Sequence, residues 1–253
     1  MSRKFGAIPD RLADAELDGR TRHVSGLIGA QPGYAPTRDW SVLLDFVPDQ
    51  QSTNRCVGWS FSSAMYLAGQ AKGQPIPRPS AKWLYDIARY YDTPNVLVDI
   101  GSRPRSMALA ATRHGVISEE RLASTVANVD EPPPFDCDLS AASAVFTGYY
   151  KLDGNVPTLM RMALDKGHFP VFSIVVHEGF TDLRRGDVYD EPQGAELGRH
   201  MLTAIAYRAG MFKILNSWGR YWCDDGFCWM TDRFVSSHFV SDRYVVSAAP
   251  KVQ

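Results

Sequence analysis

Apolar residues recur at helical spacing through the first half of the chain. The stripe that follows Cys56 occupies positions i, i+3, i+4 and i+7 and consists of Phe61, Ala64, Met65 and Ala68. This spacing predicts a helix that begins at Cys56 and is capped by Thr53 or Asn54. Two similar stripes predict a helix with Ser80 as its N-cap and a helix over residues 105–114.

The second half of the chain consists mainly of short runs of β-branched and aromatic residues, which are typical of strands. Strands are predicted over residues 171–176, 201–207, 212–215, 227–230 and 243–247. One helix is predicted between Pro157 and Gly167, and Asp225-Gly226 predicts a hairpin turn. Helices followed by a sheet indicate an α+β protein with two lobes.

Length, charge and hydropathy exclude several classes of protein. The chain has 253 residues, enough for two lobes that share a cleft. Its formal net charge is −1, so nucleic acid is not expected as a partner. No apolar run is long enough to span a bilayer, and the N-terminus lacks the apolar region of a signal peptide. We therefore expect no membrane partner and a cytoplasmic protein, with export by a non-Sec route as the alternative.

The four cysteines are too few for a disulfide framework, so the question is whether one of them is a nucleophile. A nucleophilic thiol needs a lowered pKa, a base held in orientation and donors for the oxyanion. The first turn of a helix supplies a positive dipole, and Cys56 is predicted to lie there. Cys137 has no assigned role. Cys223 and Cys228 flank the predicted hairpin and are expected to be two reduced thiols, with a disulfide as the alternative.

A second set of residues carries a family resemblance. The segment Asn216-Ser217-Trp218-Gly219, together with His200 and with Gln50 just before Cys56, resembles the papain-like cysteine peptidase family, in particular its bacterial branch. His200 follows Cys56 by 144 residues, within the roughly 130–150 residues that separate nucleophile and base in that family. The resemblance covers residues 36–247.

The resemblance implies a papain-like two-lobed α+β fold with the active-site cleft between the lobes. A helical lobe is expected over about residues 45–140 and an antiparallel β-barrel lobe over about residues 141–245. The peptidase domain would span residues 38–248, behind an N-terminal arm of residues 1–37 and before a tail of residues 249–253. The arm is expected either to wrap the body as a surface extension or to cover the cleft as an intramolecular inhibitor, rather than to fold as an independent unit.

The resemblance also implies how each matching residue would act in hydrolysing peptide or protein substrates. Cys56 would be the nucleophile that forms the acyl-enzyme, and His200 would be the general base and then the general acid. Asn216 would orient the imidazole, and Gln50 would form the oxyanion hole with the Cys56 N–H. Trp218 would cover the histidine–asparagine contact. No cofactor and no metal ion are implied.

Substrate binding is expected at Gly101, Ser102, Arg199 and Trp218. Gly101-Ser102 falls where the family has a Gly-Gly pair that hydrogen-bonds extended substrate, and Ser102 is expected to narrow the cleft. Arg55 and Arg199 flank the predicted site. Their side chains either point to solvent or favour acidic groups of the substrate.

Two other functions stay open at this stage. A catalytically silent papain-like binding protein is favoured by Asn54-Arg55 before the cysteine, by Ser102 and by the arm. An amidase or acyltransferase that acts on a non-protein substrate is the second alternative.

Overall fold

A large, mostly antiparallel sheet forms one half of the molecule. The computed structural model describes residues 3–10, 22–29, 33–92, 98–132 and 144–250, with the backbone alone for residues 22, 144–147 and 248–250. Within these ranges the strands are β1 Arg22–His23, β2 Arg38–Asp39, β3 Ala144–Lys151, β4 Phe169–His177, β5 Val188–Tyr189, β6 Glu196–Arg208, β7 Met211–Leu215, β8 Phe227–Thr231 and β9 Val240–Pro250. The sheet order is β1-β3-β9-β4-β6-β7-β8-β5, with β2 paired to β6. All pairings are antiparallel except β1 with β3 and β5 with β8.

The longer helices begin and end close to the predicted positions. The helices of the described ranges are α1 Ser25–Ile28, α2 Cys56–Ala71, α3 Ala81–Asp92, α4 Pro104–His114, α5 Val156–Asp165, α6 Glu178–Thr181 and α7 Asp232–Val235. Ser80 caps α3, since its Oγ accepts a hydrogen bond from the Trp83 N–H at 3.1 Å. The predicted cap of α2 is wrong, because the N-cap residue is Arg55 and makes no side-chain cap bond. The apolar run that follows Trp40 begins with a 3₁₀ turn, Ser41–Leu43.

Helix α2 packs against the sheet and fixes the position of Cys56. Nearly the whole helix is buried, including its serines, so it is covered on every side and not only along its apolar stripe. The Thr203 Oγ1 on β6 donates a 3.1 Å hydrogen bond to the Ser60 carbonyl in the first turns of α2. This contact places the beginning of α2 beside the middle of β6, where His200 lies.

A buried ionic cluster holds α3 against the loop that follows α4. Asp86 is fully buried and pairs with Lys82 at 2.7 Å and with Arg89 at 2.9 Å. Both cations also donate to backbone carbonyls, including those of Asn128 and Val129. Each charge therefore has a partner, as buried charges require.

The N-terminal arm contributes to the body of the protein as well as to the cleft. β1 adds a short parallel strand at the edge of the sheet, and Val24 and Ile28 are buried in the core. Residues 3–10, which we call the docked segment, lie between Ser102, just before α4, and Arg199 of β6. Among the described residues, no helix is long and apolar enough to cross a membrane.

Candidate functional site

Cys56 is the first residue of α2 and is completely buried. The backbone amides of Met201, on β6, and of Gly6, in the docked segment, lie close enough to its thiol to lower the pKa, against the larger effect of burial. The thiol therefore lies beside the strand that carries His200 and is covered by the docked segment.

His200 and Asn216 form a direct side-chain contact. The His200 Nε2 and the Asn216 Oδ1 are 2.7 Å apart, and both residues are buried. The same Oδ1 accepts a 2.7 Å hydrogen bond from the Ser217 N–H, which identifies it as the acceptor. The His200 Nε2 must therefore carry the proton, and the Nδ1 is left with a free lone pair. Among the described residues, the Nδ1 has no hydrogen-bond partner.

The hairpin after β7 holds Asn216 in place. Asn216 follows the last residue of β7, and its N–H donates to the Gly226 carbonyl at 3.0 Å. Asp225 and Gly226 have φ values of 53° and 92°, which are typical of the predicted hairpin turn. The Asp225-Gly226 turn therefore helps to fix the backbone position of Asn216.

Trp218 covers the histidine. Its ring centroid lies 4.7 Å from that of His200, and the two planes are tilted by 31°. Phe180 and Trp222 pack on Trp218 at 5.3 and 5.2 Å. Together with burial of the surrounding residues, these ring contacts enclose the His200 side chain.

Gln50 is oriented by contacts at both ends of its amide. The Oε1 accepts from the Ser217 Oγ at 2.8 Å, and the Nε2 donates to the Thr53 carbonyl at 2.6 Å. The Nε2 also donates to the Lys4 carbonyl at 3.0 Å. The Lys4 carbonyl therefore accepts from the same Gln50 Nε2 group that the family resemblance assigns to the oxyanion hole.

The docked segment pairs with both walls of the cleft. On one side the Ser102 N–H donates to the Gly6 carbonyl at 3.0 Å, and the Ile8 N–H donates to the Ser102 carbonyl at 3.1 Å. On the other side the Ala7 N–H donates to the Arg199 carbonyl at 3.2 Å. These parallel bridges make the segment a short strand inside the cleft.

Glycines at three points allow this close approach. A Cβ on Gly6 would overlap the Asn54 carbonyl, and a Cβ on Gly101 would overlap the Gly6 carbonyl. A Cβ on Gly198 would lie 3.0 Å from the Cβ of Phe5. The path of the docked segment therefore depends on the absence of side chains at these positions.

Side chains anchor the docked segment at its two ends. At the start, the Arg3 guanidinium lies 4.4 Å from the centre of the Trp218 ring, and Phe5 packs edge-on against Trp218 at 6.0 Å. At the end, the Asp10 carboxyl accepts from the Tyr244 hydroxyl at 2.6 Å and from the Arg105 N–H, near the beginning of α4, at 3.1 Å.

Burial keeps the cysteine and histidine uncharged in this state. It raises the pKa of the Cys56 thiol to about 11, against an ordinary value of 9.0. Burial also lowers the pKa of His200 to about 4, although the hydrogen bond to Asn216 opposes this. With the docked segment in place, both groups are neutral near pH 7.

The remaining predicted residues lie at the cleft, with one exception. Gly101 and Ser102 form one wall through their backbone, while the Arg199 side chain donates to the Ser241 Oγ at 3.0 Å. Both expectations for Arg55 are wrong. Its side chain is 1% exposed and donates to the Thr125 carbonyl at 2.6 Å and to Asn128 at 2.9 Å, so it neither points to solvent nor enters the cleft.

The structure adds Asp99 and Asp10 to the residues of the cleft, neither of which was predicted there.

Cys223 and Cys228 are free thiols, in line with the expected reduced pair. Cys137 lies outside the described residues.

Comparison with known proteins identifies the fold. No protein-family model matches the chain, and no curated protein sequence matches it. Solved structures of cysteine proteases do match, at sequence identities that show the fold alone. Xylellain, a cysteine protease from Xylella fastidiosa, is 21% identical with a TM-score of 0.76, and the match covers 100% of this chain and 99% of that one.

Two further neighbours are proenzymes. The procathepsin B S9 of Trypanosoma congolense is 14% identical with a TM-score of 0.75, over 98% of this chain and 87% of that one. The digestive procathepsin L 3 of the Tenebrio molitor larval midgut is 17% identical with a TM-score of 0.72, over 92% of this chain and 74% of that one. The chain therefore has the papain-like α+β fold that the sequence predicted.

Proposed function

We propose that this protein is a cysteine peptidase that hydrolyses peptide bonds through an acyl-enzyme on Cys56. The observation that carries the proposal is the His200–Asn216 contact of 2.7 Å beside a cysteine at the beginning of a buried helix. A silent binding protein would not need an asparagine that fixes the histidine tautomer, and this arrangement therefore favours an enzyme.

The proposed reaction begins with proton transfer. The lone pair on the His200 Nδ1 accepts the thiol proton, because the Nε2–H is committed to the Asn216 Oδ1. The Cys56 sulfur attacks the substrate carbonyl, and its oxygen becomes an oxyanion. Gln50 Nε2 and the Cys56 backbone N–H donate to that oxygen, in a site from which water is largely excluded.

The second half of the reaction returns the proton. The imidazolium of His200 donates it to the departing amine, so the C–N bond breaks and a thioester remains on Cys56. Water then attacks the thioester, with His200 again acting as the base. The products are a carboxylic acid and the free thiol.

The docked segment makes the described state a resting state of this enzyme. The Lys4 carbonyl occupies the Gln50 donor, and the Gly6 amide covers the thiol. Substrate cannot reach the sulfur until the segment leaves the cleft. Two of the structural neighbours are proenzymes, which supports an inhibitory role for the arm.

The test uses a full-length protein whose segment is loosened. Gly6→Ala places a methyl group against the Asn54 carbonyl and is expected to open the cleft. Hydrolysis of a mixed peptide library is measured by mass spectrometry for Gly6→Ala alone and combined with Cys56→Ala or with His200→Ala. Cleavage by the single variant that disappears in both double variants is the expected result. Cleavage that survives Cys56→Ala, or its absence from all three, would overturn the proposal.

A further inference from the structure

Asp99 presents a fixed carboxylate at the edge of the cleft. Its oxygens accept hydrogen bonds from the Asn54 N–H at 3.0 and 3.1 Å and from the Tyr85 hydroxyl at 2.7 Å. The Asn54 side chain also donates to the Asp99 carbonyl. The side chain of Asp99 is only 6% exposed, so its position is set by the body of the protein rather than by solvent.

The cation bound to this carboxylate comes from the docked segment. Lys4 Nζ lies 3.0 Å from the Asp99 Oδ2. The donors from the body, Asn54 and Tyr85, are neutral, and the nearby Arg55 guanidinium is directed to Thr125 and Asn128. When the segment leaves, the cleft keeps a carboxylate that has lost its hydrogen-bonded cation.

The position of this carboxylate relates it to the proposed reaction. The carbonyl of the same Lys4 accepts from the Gln50 Nε2 at 3.0 Å. A carbonyl at the oxyanion donor and a cation at Asp99 can therefore belong to one residue. A substrate residue whose scissile carbonyl accepts from the Gln50 Nε2 would hold its side chain near the position of Lys4. A lysine or arginine side chain at that position is long enough to reach Asp99.

We propose that Asp99 forms a subsite for a cationic side chain, lysine or arginine, on the substrate residue that supplies the scissile carbonyl. This inference rests on the proposed function and deepens it by naming the substrate class. Although the charge of the nearby Arg55 still acts on Asp99, a neutral side chain would leave this nearly buried carboxylate without a hydrogen-bonded cation, and an acidic one would be repelled by it. The half-exposed Ile100, next to Asp99, offers apolar surface for the methylene stem.

The experiment compares two peptides that differ in one group. They share a sequence and carry either lysine or norleucine before the scissile bond, so that only the ammonium group changes. Hydrolysis is measured as kcat/KM with full-length Gly6→Ala and with Gly6→Ala combined with Asp99→Asn. Because Asp99→Asn also loosens Lys4, the informative quantity is the lysine-to-norleucine ratio within each protein rather than the absolute rate.

The expected ratio is about tenfold in favour of lysine with Asp99 present, as for a charged hydrogen bond that is partly screened by solvent. It should fall to about one in Asp99→Asn. Equal rates with Asp99 present, or a lysine preference that survives in Asp99→Asn, would overturn the subsite. If Asp99→Asn does not fold, the ratio in the Asp99 protein is measured at low and high salt. A preference that weakens with salt supports the subsite, and one that ignores salt contradicts it.

Calorimetry separates this inference from the proposed function. The same two peptides are titrated into full-length Gly6→Ala combined with Cys56→Ala, which cannot form an acyl-enzyme. Tighter binding of the lysine peptide without any hydrolysis in the Cys56 protein would support the subsite and refute the peptidase. Equal binding of the two peptides, together with no hydrolysis in the Cys56 protein, would refute both the subsite and the peptidase.

Discussion

The Asp10 carboxyl makes docking of the N-terminal segment depend on pH. Burial raises the pKa of Asp10 to about 6 from its ordinary value of 3.8. The hydrogen bond from the Tyr244 hydroxyl lowers the pKa of Asp10, and the negative charge of Asp242 raises it. Arg105 lowers this pKa through its backbone N–H and its charge. The docked state therefore binds a proton more tightly than the free segment does. Docking is strongest below about pH 4 and weakens as the pH rises through about 6.

The rise from 3.8 to about 6 corresponds to about 3 kcal/mol, or about a hundredfold in the docking equilibrium. The assay is the rate at which a thiol-reactive epoxide labels Cys56 between pH 4 and 8. Cys56 and His200 also titrate, so each rate is divided by that of Asp10→Asn, whose amide cannot ionise. We expect this quotient to rise by up to about a hundredfold between pH 4 and 7. A flat quotient would show that Asp10 does not control docking.

Three other substitutions test separate parts of the structure. Gly6→Ala should weaken docking by about 1–3 kcal/mol, because its methyl group overlaps the Asn54 carbonyl. Epoxide labelling of Cys56 should then be about five- to hundredfold faster, and an unchanged rate would contradict the described path of the docked segment. Asn216→Ala should lower kcat/KM by about tenfold or more because His200 loses its tautomer and orientation, whereas full activity would exclude the orienting role. Asp86→Asn should lower the free energy of unfolding in urea by about 3–5 kcal/mol, since two buried cations lose their counter-charge; a loss below about 1 kcal/mol would contradict it.

Elements with a clear hydrophobic period could be predicted from the sequence. The helix at Cys56 and the strands around His200 and Asn216 carry a regular apolar pattern, and the Asp225-Gly226 turn has a specific backbone requirement. Residues 40–47 also form a largely apolar run, yet they pack as a 3₁₀ turn and a loop rather than as a strand. Short apolar runs do not distinguish these structures without knowledge of their neighbours.

The contacts of the cleft could be predicted only in part. A motif identifies His200 and Asn216, but no pattern in the neighbouring sequence identifies Asp99. The proposed role of Asp99 depends on its contact with Lys4, which is distant in the chain. The expected position of the Arg55 side chain is wrong for the same reason, because its hydrogen-bond partners, Thr125 and Asn128, are distant in the chain. Hydrogen bonds and ion pairs between residues that are far apart in the chain leave no periodic pattern in the sequence.

We propose that catalysis passes through a thioester on Cys56. The most direct measurement is mass spectrometry of full-length Gly6→Ala, quenched with acid during turnover of a lysine-containing peptide ester. We predict a mass increase equal to the acyl half of the substrate on the fragment that contains Cys56, and none on the fragments with Cys223 and Cys228. Turnover with Cys56 unmodified, or turnover that persists in Cys56→Ala, would show that the reaction does not pass through a Cys56 thioester.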